Sequence, residues 1–244
     1  MPLYLSRLLL DSSQREVRRA LGDCHTLHQL VMSGFGDVPE SAGRAALGVL
    51  HRLDPPRRQG PPLLLVQSLA EPHWAALTAR GLLAPARGGP ANPATKRVDE
   101  VYATIAAGDV FAFRLRANPT RRVGADQANT LAGKRVGVFG EEAQLAWLER
   151  KGTDAGFSLM TVQAHPDVAD VRAQPSGTIA GRRASGGVGT PAHRMSFFAV
   201  LYEGTLRVDD PEALRGAIRE GIGSAKAYGF GLLSLARPGT VRDG

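Results

Sequence analysis

The chain opens on an apolar run of strand length, Leu3–Leu10, after which the hydrophobic period lengthens. Ser12 can cap a helix whose exposed face carries Arg15, Arg18 and Arg19. Asp23 can cap a second helix that begins near Cys24 and places Leu27, Leu30 and Val31 at helical spacing. Val49–Leu53 and Leu63–Leu69 read as strands on either side of the Pro- and Arg-rich turn Asp54–Pro62. His73–Arg80 reads as a helix ended by Gly81, Pro85–Pro93 as a loop, and Lys96–Ile105 as a closing strand.

The same order then begins again. Val110–Leu115 alternates as a strand and Glu141–Arg150 is a strong helix pattern. Strand regions follow around Phe157–Gln163 and Met195–Tyr202, with a further strand at Thr205–Val208. Pro211 stands in the first turn of a helix running to Glu220, Gly221 ends it, and Leu232–Leu235 closes the half as a strand. Each half therefore reads β-α-β-β-α-β. The expected fold class is α+β, two tandem ferredoxin-like (RRM-like) domains spanning 1–107 and 108–244. No repeat is visible in the sequence itself, so the expected duplication rests on element order.

Composition narrows the setting. With 244 residues, 43% apolar and 22% charged, the chain has the balance of a globular protein and not of a disordered one. There is no apolar run of the roughly 18 residues that a transmembrane helix requires. The opening Met1-Pro2-Leu3-Tyr4-Leu5 lacks a basic segment and a small-residue cleavage site, so a cytoplasmic protein without a membrane partner is expected. One cysteine, Cys24, excludes a disulfide framework and a thiolate zinc cluster.

Charge changes the picture more. The net charge is +7, and of 30 basic residues only Lys96, Lys134, Lys151 and Lys226 are lysine. The planar guanidinium fork suits phosphate, which tilts the balance toward a polyanionic partner. An Arg-, Ala- and Gly-rich composition can also reflect genome base content, so position has to decide. From Val171 to Tyr202 there is no Asp or Glu, while Arg172, Arg182, Arg183 and Arg194 are present. Arg116 to Arg135 holds Arg121, Arg122 and Lys134 as well, against Asp126 alone. Both stretches contain turn formers, so both are expected to be mobile phosphate-binding loops.

Two groups of residues carry candidate chemistry. His25 and His28 stand three apart, which on a helix puts both imidazoles on one side. Cleaving RNA without metal needs a base for the 2′-hydroxyl proton and an acid for the departing 5′-oxygen, and histidine can do either near neutrality. A metal site would need a third ligand that the sequence does not offer; two incidental polar helix residues are the plainer alternative. The stretch from Gly221 to Leu233 places Gly221, Gly223, Gly229 and Gly231 around Lys226. Such a segment lets bare N–H groups approach a phosphate chain closely. It is not a P-loop, because no Ser or Thr follows the lysine and it leaves a helix instead of entering one.

Taken in order, these segments resemble the CRISPR-associated endoribonucleases of the type I-E system, the CasE family. The resemblance lies in the opening strand with Arg18-Arg19-Ala20-Leu21 and Leu27-His28, and in Phe113-Arg114-Leu115-Arg116-Ala117-Asn118-Pro119. It continues through Val200-Leu201-Tyr202-Glu203-Gly204 and the Gly221–Leu233 segment. It implies two linked ferredoxin-like domains and an enzyme, without cofactor or metal, that cuts CRISPR precursor RNA at the base of the repeat hairpin. Such an enzyme would keep the crRNA within a Cascade complex with other Cascade subunits and would not bind DNA directly. The family's active-site histidine falls on His28, and a family tyrosine falls on His25, where this chain departs. A basic hairpin that enters the RNA major groove corresponds to Arg172–Arg194. RNA-binding residues expected on these grounds are Arg121, Arg122, Arg172, Arg182, Arg183, Arg194 and Lys226 with the four loop glycines. The alternative is a non-catalytic subunit that binds structured RNA; a small-molecule enzyme on this fold lacks a cofactor fingerprint.

Overall fold

The computed structural model describes residues 1–36, 43–56, 60–86, 89–124, 132–183 and 193–238. In the first half, β1 (Tyr4–Leu9) leads into α1 (Arg15–Gly22), α2 (Cys24–Met32) and the short α3 (Gly43–Ala46). Then come β2 (Leu50–Asp54), β3 (Leu63–Ser68), α4 (Ala75–Ala79), β4 (Ala94–Arg97) and α5 (Asp99–Ala103). The second half runs β5 (Val110–Ala117), β6 (Thr120–Arg122), β7 (Arg135–Gly137), α6 (Glu141–Asp154), β8 (Phe157–Leu159), β9 (Thr161–Val162) and β10 (His165–Ala169). It ends with β11 (Val171–Arg183), β12 (His193–Val208), α7 (Pro211–Glu220) and β13 (Leu233–Ala236).

Two antiparallel sheets organise these elements, ordered β2-β3-β1-β4 and β11-β12-β5-β13, with β8 added against the far end of β12. The fold is α+β, with mixed helices and antiparallel sheets consistent with ferredoxin-like domains. Leu8, Leu10, Leu64 and Val66 of the first sheet pack on Val17, Leu27, Val31 and Leu77 of its helices. Trp74 sits in that core and donates its indole N–H to Ser6 Oγ at 3.0 Å. A second core joins Phe113, Leu115, Tyr202 and Leu206 to Trp147, Leu148, Leu214 and Ile218. Its buried Tyr202 hydroxyl donates to the Gln144 carbonyl at 3.1 Å.

The sheets meet through polar side chains of the first. Strand alternation turns His51 toward α2 while its neighbour Arg52 faces the second sheet. Arg52 is 3% exposed, pairs with Asp54 at 2.8 Å and donates to Ser234 Oγ at 2.8 Å. It also donates to the carbonyl of Arg114 at 3.2 Å. Gln67 Nε2 donates to the Ile218 carbonyl at 2.7 Å. Buried donors of this kind tolerate little displacement, so the halves are held in register.

Several sequence expectations need correction. Ser12 does not cap α1, which starts at Arg15 after Gln14; Asp11 instead binds Ser13 through both amide and hydroxyl. The expected strand Lys96–Ile105 is β4 followed by α5. Val98, Tyr102 and Ile105 stand at helical spacing and pack into the second core, and Asp99 accepts the Leu3 amide at 3.4 Å. Met195–Tyr202 and Thr205–Val208 are one strand. Gly204 does not break it, because its bare Cα lets β12 lie directly against the carbonyl of Asp170, where a side chain would collide. The arginines assigned to mobile loops are largely on strands: Arg116 in β5, Arg121 and Arg122 in β6, Arg135 in β7, and Arg172, Arg182 and Arg183 in β11. Residues 184–192, the glycine cluster of that segment, lie outside the described residues.

Candidate active site and nucleic-acid interface

The start of α2 is fixed by Asp23, as its cap position predicts: Oδ1 accepts the Thr26 amide at 2.8 Å. Its other oxygen accepts the Arg182 amide of β11 at 3.0 Å, so one carboxylate binds helix and hairpin together. Burial pushes the Asp23 carboxyl up, but the amide donations from Thr26 and Arg182 outweigh it and leave the carboxyl below its ordinary value. Gly181 completes the contact. A side chain there would come within 2.6 Å of Cys24 Sγ and 3.2 Å of the His25 amide nitrogen. Burial, with the Asp23 charge second, pushes the Cys24 thiol up to about 11, so it is an inert packing group at neutral pH.

His28 lies one turn further along α2, half-buried. Its ring stacks against His51 of β2 at 6.4 Å between centroids and meets Tyr228 edge-on at 6.1 Å. His51 is 1% exposed. Tyr228 ends a 3-10 turn, Lys226–Tyr228, that hangs between α7 and β13. The turn is set by two left-handed residues, Ala225 at φ 57° and Gly229 at φ 88°. At Gly229 a side chain would face both that backbone conformation and the His51 ring, 3.4 Å from Nε2. The loop is also tied down by Ile222 N–H to the Gly231 carbonyl at 2.9 Å and Gly231 N–H to the Arg116 carbonyl at 2.8 Å.

The two histidines singled out in the sequence have different surroundings. His28 meets an imidazole and a phenol supplied by distant parts of the chain. His25 sits in the first turn of α2 beneath β11, and its Nδ1 is buried without a hydrogen-bond partner among the described residues. His51, Tyr228 and Phe197, whose ring stacks on Tyr228 at 5.1 Å, were not singled out. His51 lies inside an apolar strand pattern, and its contact with Tyr228's loop spans most of the chain, so no local signal marks it. Among the described residues no group of three His, Cys, Asp or Glu side chains is placed to hold a metal ion.

Much of the basic surface falls into two clefts, which take in neither Arg172 nor Arg183. Arg18 and Arg19 of α1 line one with Arg182 and Arg194 of the hairpin, above the Asp23 clasp. Arg182 and Arg194 are direct cross-strand partners, both exposed. Like charges placed opposite each other on a sheet repel, which an anionic ligand would relieve. A second cleft, about 660 Å³, lies between α6 and α7 and is lined by Arg121, Arg122, Arg135, Arg150, Lys151 and Lys226. Arg172 is elsewhere, exposed opposite Glu203 at the sheet end of the hairpin. The amides of Gly221 and Gly231 are donated within the protein, so they are not bare donors for phosphate. Arg116 lies with its guanidinium 5.8 Å over the Phe230 ring, half-buried.

A family model described as "CRISPR associated protein" matches residues 3–237. The chain is 34% identical over 241 residues to the CRISPR-associated endoribonuclease Cse3 of Thermus thermophilus, covering 96% of this chain and all of that protein. It is 33% identical over 146 residues to the CRISPR system Cascade subunit CasE of Escherichia coli, covering 57% of this chain and 64% of that one. A solved structure of CRISPR endoribonuclease Cse3 bound to a 19-nucleotide RNA superposes with a TM-score of 0.76 at 30% identity, covering 97% and 100% of the two chains.

Proposed function

We propose, from the premise that the chain belongs to the Cse3/CasE family of CRISPR-associated endoribonucleases, that it cuts CRISPR precursor RNA at the base of the repeat hairpin and keeps the product. The observation that carries this reading is His28, held half-buried between His51 and Tyr228 on the helix whose first turn lines a cleft with four arginines. The 2′-hydroxyl attacks the adjacent phosphorus, its proton passes to a base, and the bond to the 5′-oxygen breaks as that oxygen takes a proton. The products are a 2′,3′-cyclic phosphate and a 5′-hydroxyl. His28 is the acid or base of this exchange, and His25 is its candidate partner. His51 and Tyr228 act as positioning residues that fix the plane of the His28 ring.

The hairpin arginines Arg182, Arg183 and Arg194 hold the stem. A narrow A-form major groove admits a slim β-hairpin where a helix would not fit. Arg121, Arg122 and Lys226 contact phosphates from the other cleft, and Arg172 adds a charge at the sheet end of the hairpin. The two sheets, with matching strand order, support a tandem of ferredoxin-like domains at 1–107 and 108–244, joined through Arg52 and Gln67. By kinship with a Cascade subunit, the protein and its crRNA join other Cascade subunits in the cytoplasm, where the precursor transcript is made.

The test is cleavage of the repeat hairpin in EDTA by wild type and His28→Ala. The variant should lose roughly 10²- to 10⁴-fold in rate, the contribution of one acid–base group, with nearly unchanged RNA affinity. His25→Ala should lose less. Full activity in His28→Ala would favour a non-catalytic RNA-binding subunit.

A further inference from the structure

β12 is longer than the sheet that holds it. Its pairing with β5 begins at Val200, opposite Ala117, and among the described residues the stretch His193–Ala199 is bonded only to β11. On the β5 side, that stretch therefore offers the N–H and C=O groups of an open sheet edge. A cavity of about 430 Å³ runs along this edge, lined by Ser196, Phe197, Phe198, Phe139, Arg135 and Ala225. Strand alternation sends the two adjacent phenylalanines to opposite faces. Phe197 stacks on Tyr228 of the His28 site at 5.1 Å, and Phe198 meets Phe139 at 4.9 Å between centroids. Phe139 is 65% exposed, its ring lying over the backbone of Gly137. An aromatic ring left that open beside a second aromatic is a surface in want of a flat partner.

Charge identifies the partner. Arg135 lines this cavity and also the basic cleft between α6 and α7, and the two share Thr120 and Ser224 as well. An apolar aromatic step thus continues directly into a cleft that Arg121, Arg122 and Arg150 also line, beside a Lys151–Asp154 pair. Aromatic faces for bases beside cations for phosphates are what single-stranded nucleic acid requires. A protein strand adding to the edge would use the backbone groups but would itself bring no anion to Arg121, Arg122, Arg135 and Arg150.

We infer that the open edge of β12, with Phe139 and Phe198 beside it, is a stacking channel for an unpaired nucleotide of the RNA arm next to the stem, leading that arm from His28 into the cleft between α6 and α7. The inference rests on the RNA-cleaving reading and adds a residue set that recognises the single-stranded flank. Val101, equally exposed at 65% on α5, serves as a surface control that lines neither cleft.

The experiment compares three RNAs, each with a 2′-deoxy nucleotide at the cut: the hairpin alone, the hairpin with a 5′ single-stranded extension, and the hairpin with a 3′ extension. Affinities are measured by fluorescence anisotropy for wild type, Phe139→Ala, Phe139→Trp and Val101→Ser. One extension should tighten binding by wild type roughly tenfold, the effect of one stacked base, and the arm that does so is the one in the channel. Phe139→Ala should bind that RNA no better than the hairpin alone, while Phe139→Trp keeps the gain and Val101→Ser matches wild type. The channel is refuted if neither extension tightens binding, if Phe139→Ala retains the gain, or if that variant weakens all three RNAs equally. Cleavage of the unmodified hairpin is assayed in parallel, so a failure of the endoribonuclease reading shows as lost cutting and not as a lost extension effect.

Discussion

Arg52 and Arg182 bring the same guanidinium to two places and do opposite things there. Arg52 is sealed between the sheets, with a carboxylate at 2.8 Å and a carbonyl and a hydroxyl from the other half of the chain. Its charge is spent within the protein. Arg182 stands exposed on the hairpin with Arg194 directly across the ladder, and among the described residues only its backbone N–H is engaged, by Asp23. The net charge of +7 sums both kinds of residue, yet only the second has capacity left for a polyanion. Burial with a partner makes an arginine a joint; exposure beside a like charge leaves it open to an anion.

The contrast can be broken from either side. Arg52→Ala takes from buried Asp54 its partner at 2.8 Å and leaves it Arg114 at 3.5 Å, so stability should fall by up to about 3–5 kcal/mol in urea denaturation. Cleavage should fall too, since the substitution loosens the seam that sets His51 against Tyr228's loop. A variant as stable as wild type would show that Arg52 is no joint. Replacing Arg182 and Arg194 together with alanine should leave stability unchanged or slightly raised, because a repulsive pair is removed. RNA binding should weaken, and the slope of log K against log salt should flatten by up to about two units. An unchanged slope would make these arginines ordinary surface charges.

The smallest expected effect concerns Asp23, where the two regions touch. Its carboxyl is held below the ordinary value in the folded protein, so its stabilising effect is present above that ordinary value. It is lost as pH falls through the lower folded value. Asp23→Asn keeps an oxygen for the Thr26 amide but removes the charge, and should flatten the acid limb of a stability–pH curve measured by urea denaturation. An acid limb identical to wild type would mean that the clasp owes nothing to ionisation.

Where local chemistry decides an element, the sequence is readable. α7 has its expected bounds because Pro211 and Gly221 act within a turn of themselves, and Asp210 supplies the cap. α5 departs from the strand expected there because Val, Tyr, Thr and Ile suit strands, while the helical spacing that packs Val98, Tyr102 and Ile105 on one core prevails. Gly204 reads as a break until Asp170 is seen lying against it. The candidate site divides in the same way. His28 is visible from its place in α2, but His51 and Tyr228 reach it through the fold of the whole chain. The basic segments were identifiable by their lack of acids; that Arg18 and Arg19 would join Arg182 and Arg194 in one cleft depends on the Asp23 clasp.

The length of β12 has a mechanical meaning. Its 16 residues span roughly 50 Å as one strand, with the part from Val200 onward built into the sheet and the part before it projecting as a beam. That projection is held a second time where Asp23 accepts the Arg182 amide and Gly181 lies against Cys24, so it is a beam supported at both ends, with the register shift between Pro175 and Thr178 of β11 beside the inner support. Arg182 and Arg194, at the outer support, therefore keep their place relative to α2, as the Phe197–Tyr228 stack does near the inner one. The spacing between those two arginines and His28 is thereby set by the protein's own supports.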